Sequence, residues 1–361
     1  MSGLNEFLAG LRVIDLSRHL PGPLATLMLA DMGAEVIKIE PPAGDELRSF
    51  GMAGAEGRSR YFDAVNAGKS SRRLDLKQEA GRAALLDLVA DADIVVESFR
   101  PGVLDRLGVG FGVMRARNPR LICCAINGFG ASGPLAERAG HDINYLALAG
   151  NLSFNGTRDE PVVGIPPVAD CSGALFALTA ILGALHRRGV TGEGCDIDAA
   201  LADAVMPLQL FQVADVSVAG FTPGRAGALT NGGAACYRIY ATSDGRHVSL
   251  GAIEPKFWQG FCAAAERPDW VARHHEPMPQ TGLVGEVAAL FGAMTLAEAE
   301  ARFEQADCCF APVMSLPEAM ASPHVAARGL VVKGEDGLLQ ALLPVHVDGR
   351  PPRPRRPFTE A

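Results

Sequence analysis

Short apolar runs alternate with helical patterns through the first third of the chain. Residues 11–16 read as a buried strand: a compact apolar run bounded by breakers. Pro21-Gly-Pro23 interrupts it, residues 24–32 follow at helical spacing, and Gly33 ends that helix. Residues 35–40 form a second strand, stopped by Pro41 and Pro42. Strand, helix and strand in this order predict a parallel pair. The alternation continues with a strand edge over 71–76, a helix over 78–90, strands over 93–97 and 121–126, and a helical turn over 103–107. Such a succession predicts a doubly wound α/β domain.

Further on, residues 172–188 are apolar on nearly every face, which predicts an interior helix with Asp170 as its N-cap and His186-Arg-Arg188 at its C-terminal end. A second long apolar helix is expected over 199–218. After Thr222-Pro-Gly the texture changes. Residues 236–251 read as a hairpin turning at Asp244-Gly245, followed by helices carrying Trp258 and Phe261 and by helices over 283–291 and 296–305. This part predicts a smaller α+β domain. The tail over 349–358 is rich in Pro and Arg and is expected to run extended on the surface.

Composition narrows the function classes. With 48% hydrophobic and 20% charged residues, the 361-residue chain can bury a substantial core, and disorder is excluded. Lys and Arg number 33 against 41 Asp and Glu, a net charge of −8 without a basic stripe, which speaks against nucleic acid as a partner. Eight Cys, at 123, 124, 171, 195, 236, 262, 308 and 309, show neither Cys-x-x-Cys nor zinc spacing with His. They read as free thiols in a reducing cytosol, so no metal centre is expected. Met1-Ser-Gly-Leu-Asn-Glu-Phe-Leu8 lacks the pattern of a signal peptide, and the most apolar run, 173–185, is too short to cross a bilayer. A cytoplasmic protein with no membrane partner is the expectation.

Gly128-Phe-Gly-Ala-Ser-Gly133 matches a dinucleotide-binding fingerprint and follows a strand, but Pro134 comes directly after it and no helix continues. It reads as a glycine loop. The segment that carries chemistry is Ala139-Gly-His-Asp-Ile-Asn-Tyr145. Gly140 makes a turn and helical spacing starts at Asp142. His141 therefore sits at a helix start, whose positive end disfavours a second positive charge, as suits a general base. The plainer reading is a loop His beside a capping Asp142. Asp170 likewise reads as a cap, a role compatible with catalysis, because a capping carboxylate is held rigidly beside backbone N–H groups able to stabilise an oxyanion.

These segments resemble one family. Gly140-His-Asp-Ile-Asn-Tyr145 is similar to the segment around the catalytic His of α-methylacyl-CoA racemases, and Val168-Ala-Asp-Cys-Ser-Gly173 to that around their catalytic Asp. Gly251-Ala-Ile-Glu-Pro-Lys-Phe257 resembles their small-domain motif, with Glu254 at its acidic position. Ser98-Phe-Arg-Pro-Gly102 and Leu74-Asp-Leu-Lys77 are similar to CoA-contacting stretches. The chain thus resembles the family III CoA-transferase (CaiB/BaiF) superfamily, closest to the racemases. The resemblance implies a Rossmann-like large domain (1–205), a linker (206–224), a small α+β domain (225–315) and a C-terminal segment (316–361) returning to the large domain, in an interlocked homodimer. It further implies CoA binding by Leu74, Asp75, Leu76, Lys77, Arg100, Gly140 and Tyr145, with coenzyme A entering as part of an acyl-CoA substrate and no permanently bound cofactor. His141 and Asp170 would move a proton between the two faces of C2, with oxyanion donors at the helix starts beside Asp142 and Cys171. Glu254 would act across the dimer interface. Ile37-Lys-Ile-Glu-Pro-Pro42 and Asn66-Ala-Gly-Lys-Ser-Ser71 lean instead toward CoA-transferases, in which reading Asp142 is the nucleophile of an aspartyl-CoA thioester. Against that reading stand Leu146-Ala147 and a glycine lid loop reduced to Asn231-Gly-Gly233.

Overall fold

The computed structural model describes residues 3–54 and 57–360. The first two positions of the N-terminal stretch read for a signal peptide, and the last of the C-terminal segment, lie outside the described residues. The chain divides into two compact units: Met1–Ala149 with Ile165–Leu208 and Met320–Ala361, and Gly150–Gly164 with Gln209–Ala319. Residues 150–164, placed with the large domain from the sequence, thus belong to the second unit.

Through the first unit run β1 (Arg12–Asp15), α1 (Pro21–Asp31), β2 (Glu35–Glu40), α2 (Arg60–Asn66), β3 (Ser70–Arg73), α3 (Glu79–Ala90), β4 (Ile94–Glu97), α4 (Val103–Arg106), α5 (Phe111–Arg117), β5 (Ile122–Asn127), α6 (Asp142–Leu148), α7 (Val168–Thr191), β6 (Cys195–Ala200) and α8 (Leu201–Val205). The second unit holds α9 (Leu210–Ala219), β7 (Tyr237–Ala241), β8 (His247–Gly251), α10 (Pro255–Ala264), α11 (Thr281–Gly292), α12 (Leu296–Phe303) and β9 (Phe310–Pro312). After α13 (Leu316–Ala321) the chain rejoins the first unit with α14 (Pro323–Arg328), β10 (Val331–Lys333), β11 (Leu339–Ala341) and β12 (Thr359–Glu360).

The first unit is built on a seven-stranded sheet, β12-β3-β2-β1-β4-β5-β6, in which every pairing is parallel. Val, Ile and Cys fill β4 and β5, buried along their whole length, as a sheet covered on both faces requires. Strand order reverses between β1 and β4, so a crevice is expected beyond their carboxyl ends. Pro21 and Pro23 do not break the chain before α1; they form its first turn, where a missing N–H leaves nothing unsatisfied. A side chain on Gly22 would come 2.2 Å from the Ser17 Cβ, so glycine lets α1 start against the end of β1.

Two long helices depart from expectation. α7 begins at Val168 with Pro167 as its cap residue, which puts Asp170 inside the first turn rather than at the N-cap. It packs against β5, β6, α1 and α8, yet Leu175 and Phe176 on another face are 53% and 41% exposed, so it is not interior all round. At 24 residues it is long and apolar enough to cross a membrane by length and composition, as is the stretch 201–219. The latter is not one smooth helix: a 3₁₀ turn, Met206–Gln209, separates α8 from α9, and Pro207 lies in it.

Charged groups buried in the sheet layer tie β1, α1 and β3 together. Lys69 Nζ lies 3.1 Å from Asp15 Oδ2 and 2.8–3.0 Å from the oxygens of Thr26, Pro23 and Asn66. Burial pushes the Lys69 amine down to about 8 despite Asp15. Burial raises the Asp15 carboxyl, but Lys69, Lys38 and the hydroxyls of Ser17 and Thr26 outweigh it and bring it to about 2. The C-terminal tail is extended yet anchored. Arg355 grips Asp31 at 2.6 and 2.7 Å, Phe358 meets Phe62 edge-on at 5.0 Å, and β12 adds to β3.

The second unit pairs an antiparallel sheet, β7-β8-β9, with α10–α12 over a core containing Trp258, Phe261, Trp270, Phe291 and Phe303. The hairpin turn is where the sequence puts it: Asp244 accepts from the Thr242 hydroxyl at 2.5 Å, and Gly245 takes a φ of 76°.

Candidate active site

One carboxylate joins two helix starts. Asp142 opens α6, and its Oδ1 accepts the backbone N–H groups of Ala169 at 2.7 Å and Asp170 at 3.1 Å, in the first turn of α7. The first N–H groups of any helix lack intrahelical partners, and its positive end attracts an anion. Asp142 supplies both needs to α7 from 27 residues away. His141, one residue earlier, is thereby held in the same neighbourhood as Asp170.

His141 is the N-cap residue of α6: its backbone N–H donates to Asn144 Oδ1 at 3.1 Å and its carbonyl accepts from the Asn144 N–H at 2.8 Å. Its imidazole is exposed and makes no hydrogen bond among the described residues. Tyr145 is buried, donating to the Gly140 carbonyl at 2.6 Å and meeting Phe129 edge-on at 5.2 Å. Burial, with the charges of Asp170 and Asp142, pushes its phenol up to about 12. A Cβ on Gly140 would come within 2.8 Å of the Tyr145 ring, so the turn before His141 needs glycine.

The Asp170 carboxyl is half-buried and pushed up to about 6, first by burial and then by the charge of Asp142, with His141 opposing. It is therefore a stronger base than an ordinary carboxylate, yet still ionised near neutrality. The Cys171 N–H, expected as an oxyanion donor, is bonded to the Pro167 carbonyl at 3.0 Å and is not free for that role. The N–H groups of Asp142 and Ile143 at the start of α6 have no acceptor among the described residues.

In the same unit, a cavity of about 320 Å³ opens beyond the carboxyl ends of β1–β4, at the crevice the strand order predicts. Leu74, Asp75, Leu76 and Lys77 line it; Arg100, Gly140 and Tyr145 do not. Two basic residues that the sequence reading missed, Arg18 and Arg106, do line it. Arg18 lies with its guanidinium 5.4 Å from the Phe99 ring centre, and its backbone N–H donates to Ser98 Oγ at 2.9 Å. No carboxylate among the described residues lies within ion-pair distance of Arg18, Lys77 or Arg106. Glu40, paired with Arg48, and Asp75 also line the cavity, and the three cations with its apolar side chains suit a ligand with an apolar or aromatic body and phosphates. The available signal was topological: Arg18 follows β1 and Arg106 lies in α4, just after β4.

Glu254 belongs to the second unit. It precedes α10, its carbonyl accepts from the N–H groups of Phe257 and Trp258, and its carboxylate is exposed. The nearby Cys309 thiol is pushed up, by burial first and then by the Glu254 charge.

Named relatives carry two activities. The chain is 34% identical over 337 residues to an alpha-methylacyl-CoA racemase of Homo sapiens, covering 91% of this chain and 83% of that protein. It is 33% identical over 349 residues to an acetyl-CoA:oxalate CoA-transferase of Acetobacter aceti, covering 94% and 89%. A CAIB/BAIF family protein of Brucella suis superposes with a TM-score of 0.84 at 30% identity, covering 98% of this chain and 96% of that one. With a parallel sheet of this order, an aligned solved fold and the model of CoA-transferase family III matching residues 8–358, the chain belongs to CoA-transferase family III, an enzyme of the acyl-CoA transferase and racemase superfamily.

Proposed function

We propose that the protein is a 2-methylacyl-CoA racemase. The observation that carries this reading is the Asp142 bridge, which sets His141 and a carboxyl of raised proton affinity, Asp170, side by side at two helix starts. Inversion at C2 needs two bases, one for each face. One removes the C2 proton, the electron pair moves onto the thioester oxygen, and the other returns a proton to the opposite face; the reverse epimer exchanges the roles. Each such acid–base step contributes roughly 10²- to 10⁴-fold. The free N–H groups at the start of α6 are candidates to receive the oxyanion. The cavity bearing Arg18, Lys77 and Arg106 would take the nucleotide end of coenzyme A, which enters with the substrate. A cytoplasmic homodimer and a role for Glu254 are retained in this proposal from the resemblance alone.

The transferase reading draws support from the transferase-named relatives and the stretches around Pro41 and Lys69. Its attacking carboxylate is better assigned to Asp170 than to Asp142, because Asp142 Oδ1 already holds two backbone N–H groups. A 2-methylacyl-CoA incubated in D₂O without any acceptor acid separates the two. Deuterium at C2 is the expected result. Turnover only with a free acid, together with hydroxylamine capture of an enzyme thioester, would replace the racemase by a transferase.

A further inference from the structure

Glu97 is a buried carboxyl that the mechanism above does not use. It is the last residue of β4, in register with Ala125 of β5, at the carboxyl end of the sheet. No cation among the described residues lies within ion-pair distance of it. Burying a carboxylate without a cation is costly, so the bond it does make carries weight. Its Oε2 accepts the backbone N–H of Phe99 at 2.6 Å, two residues on, and so closes a tight turn directly after the strand. Glu97 does not line the 320 Å³ cavity, but Phe99 and Arg18 both do. The turn supports Arg18 twice: Ser98 Oγ accepts its backbone N–H at 2.9 Å, and the Phe99 ring centre lies 5.4 Å from its guanidinium. The Leu16 N–H also donates to the Val96 carbonyl at 2.8 Å, which ties the chain leading to Arg18 to the same end of β4.

The titratable groups that act on Glu97 come from three neighbouring elements: Cys124 on β5, Asp198 on β6 and Asp105 on α4. None of them is a cation. Asp198 Oδ2 is itself engaged, accepting the Ala131 N–H at 2.8 Å. Burial pushes the Glu97 carboxyl up, the Phe99 N–H opposes the rise, and the charges of Asp198 and Asp105 add to it, leaving the carboxyl at about 7. Above that pH the Phe99 N–H meets a carboxylate; below it, a neutral acid. A hydrogen bond to a neutral oxygen is roughly half as strong as one to a charged oxygen, so the turn is held less firmly in acid.

We propose that Glu97 is a positioning residue for coenzyme binding: its carboxylate fixes the turn that sets the Phe99 ring and Arg18 at the cavity. The proposal rests on the reading that this cavity takes the nucleotide end of coenzyme A, and it holds whether the enzyme is a racemase or a transferase. The experiment is calorimetric titration of the full chain with free coenzyme A at pH 5.5 and pH 8.5, for the parent, Glu97→Gln, Glu97→Ala and Arg18→Gln. Glu97→Gln keeps the shape and an acceptor oxygen but can never carry the charge. The parent is expected to bind about as tightly as Glu97→Gln at pH 5.5 and about three- to tenfold more tightly at pH 8.5. Comparing the two proteins at each pH cancels the titration of the coenzyme's own phosphates. Glu97→Ala removes the acceptor and should weaken binding about tenfold or more at pH 8.5, with Glu97→Gln recovering part of the loss. A parent-to-Gln ratio that is the same at both pH values, or Glu97→Ala binding like the parent while Arg18→Gln is weakened, would overturn the positioning role alone. Arg18→Gln binding coenzyme A like the parent would overturn the cavity assignment, and this proposal with it.

Discussion

Asp142→Asn tests the site most sharply, because one carboxylate there performs two separable tasks. Replacing it by a neutral amide keeps an oxygen able to accept from the Ala169 and Asp170 N–H groups, now 2.7 and 3.1 Å away, but removes its charge. Loss of charge assistance at a helix start costs about 1–2 kcal/mol, a fall in Tm of a few degrees for a chain of this size. The second effect is on Asp170, whose carboxyl stands at about 6 because burial and then Asp142 raise it. In the direction in which Asp170 takes the C2 proton it must be ionised, so the parent rate falls as pH drops through about 6. Removing the neighbouring negative charge eases ionisation and moves this acid limb to lower pH. Burial is the larger cause and stays in place, so the move is on the order of one pH unit. The assay is the initial rate of deuterium entry at C2 from a single epimer between pH 4.5 and 8, alongside thermal unfolding. A variant that loses stability while its acid limb stays near 6 would refute the electrostatic link between the two carboxylates.

Asp170→Asn is expected to abolish exchange with little change in acyl-CoA affinity by calorimetry. Its stability effect has a defined sign: the folded-state carboxyl is raised from its ordinary value of 3.8, so its stabilising contribution is complete below that value and is lost as pH rises through about 6. The neutral variant should therefore melt above the parent at pH 7.5 and level with it near pH 4. Arg18→Gln should raise KM for acyl-CoA esters about tenfold or more with kcat unchanged, and a lowered kcat at constant KM would remove Arg18 from the phosphate-binding role. Lys69→Met leaves the buried Asp15 without its nearest cation and should cost roughly 3–5 kcal/mol in denaturant unfolding, against about 1 kcal/mol or less for a surface lysine.

Much of the first unit was legible because its strands are short apolar runs set between breakers. β1, β2, β4 and β5 lie within a residue or so of those runs. β6 was missed for a physical reason. Cys195-Asp-Ile-Asp-Ala-Ala alternates polar and apolar positions, as an edge strand of the sheet does, but it runs directly into α8, so its last residues read as the start of a long helix. β12 is two residues long and exists only because the anchored tail brings Thr359 beside Ser70. The excursion of residues 150–164 into the second unit left no local signal. Arg18 and Arg106 were missed because they become neighbours of Lys77 only once the strand order is known.

The segments around Asp142 and Asp170 were recognisable, but the relation between their two acids was not. Local rules look for a cap immediately before a helix, and Asp170 was read as one. The position before α7 is instead Pro167, whose side chain can accept nothing. A helix starting after Pro166-Pro167 with no local acceptor leaves its first N–H groups with an acceptor deficit that something elsewhere must meet. That absence was itself readable in the sequence, and an acidic residue at the start of another helix was the available answer. It also explains why the fold tolerates a second carboxylate so close to Asp142. The amides that draw Asp142 in belong to the backbone carrying Asp170, so the bonds that stabilise the start of α7 also press two negative charges together. Burial is the first cause of the raised proton affinity of Asp170 and the way the helix is capped is the second, so any substitution that caps α7 equally well without a charge should leave the fold intact and lower that proton affinity in part.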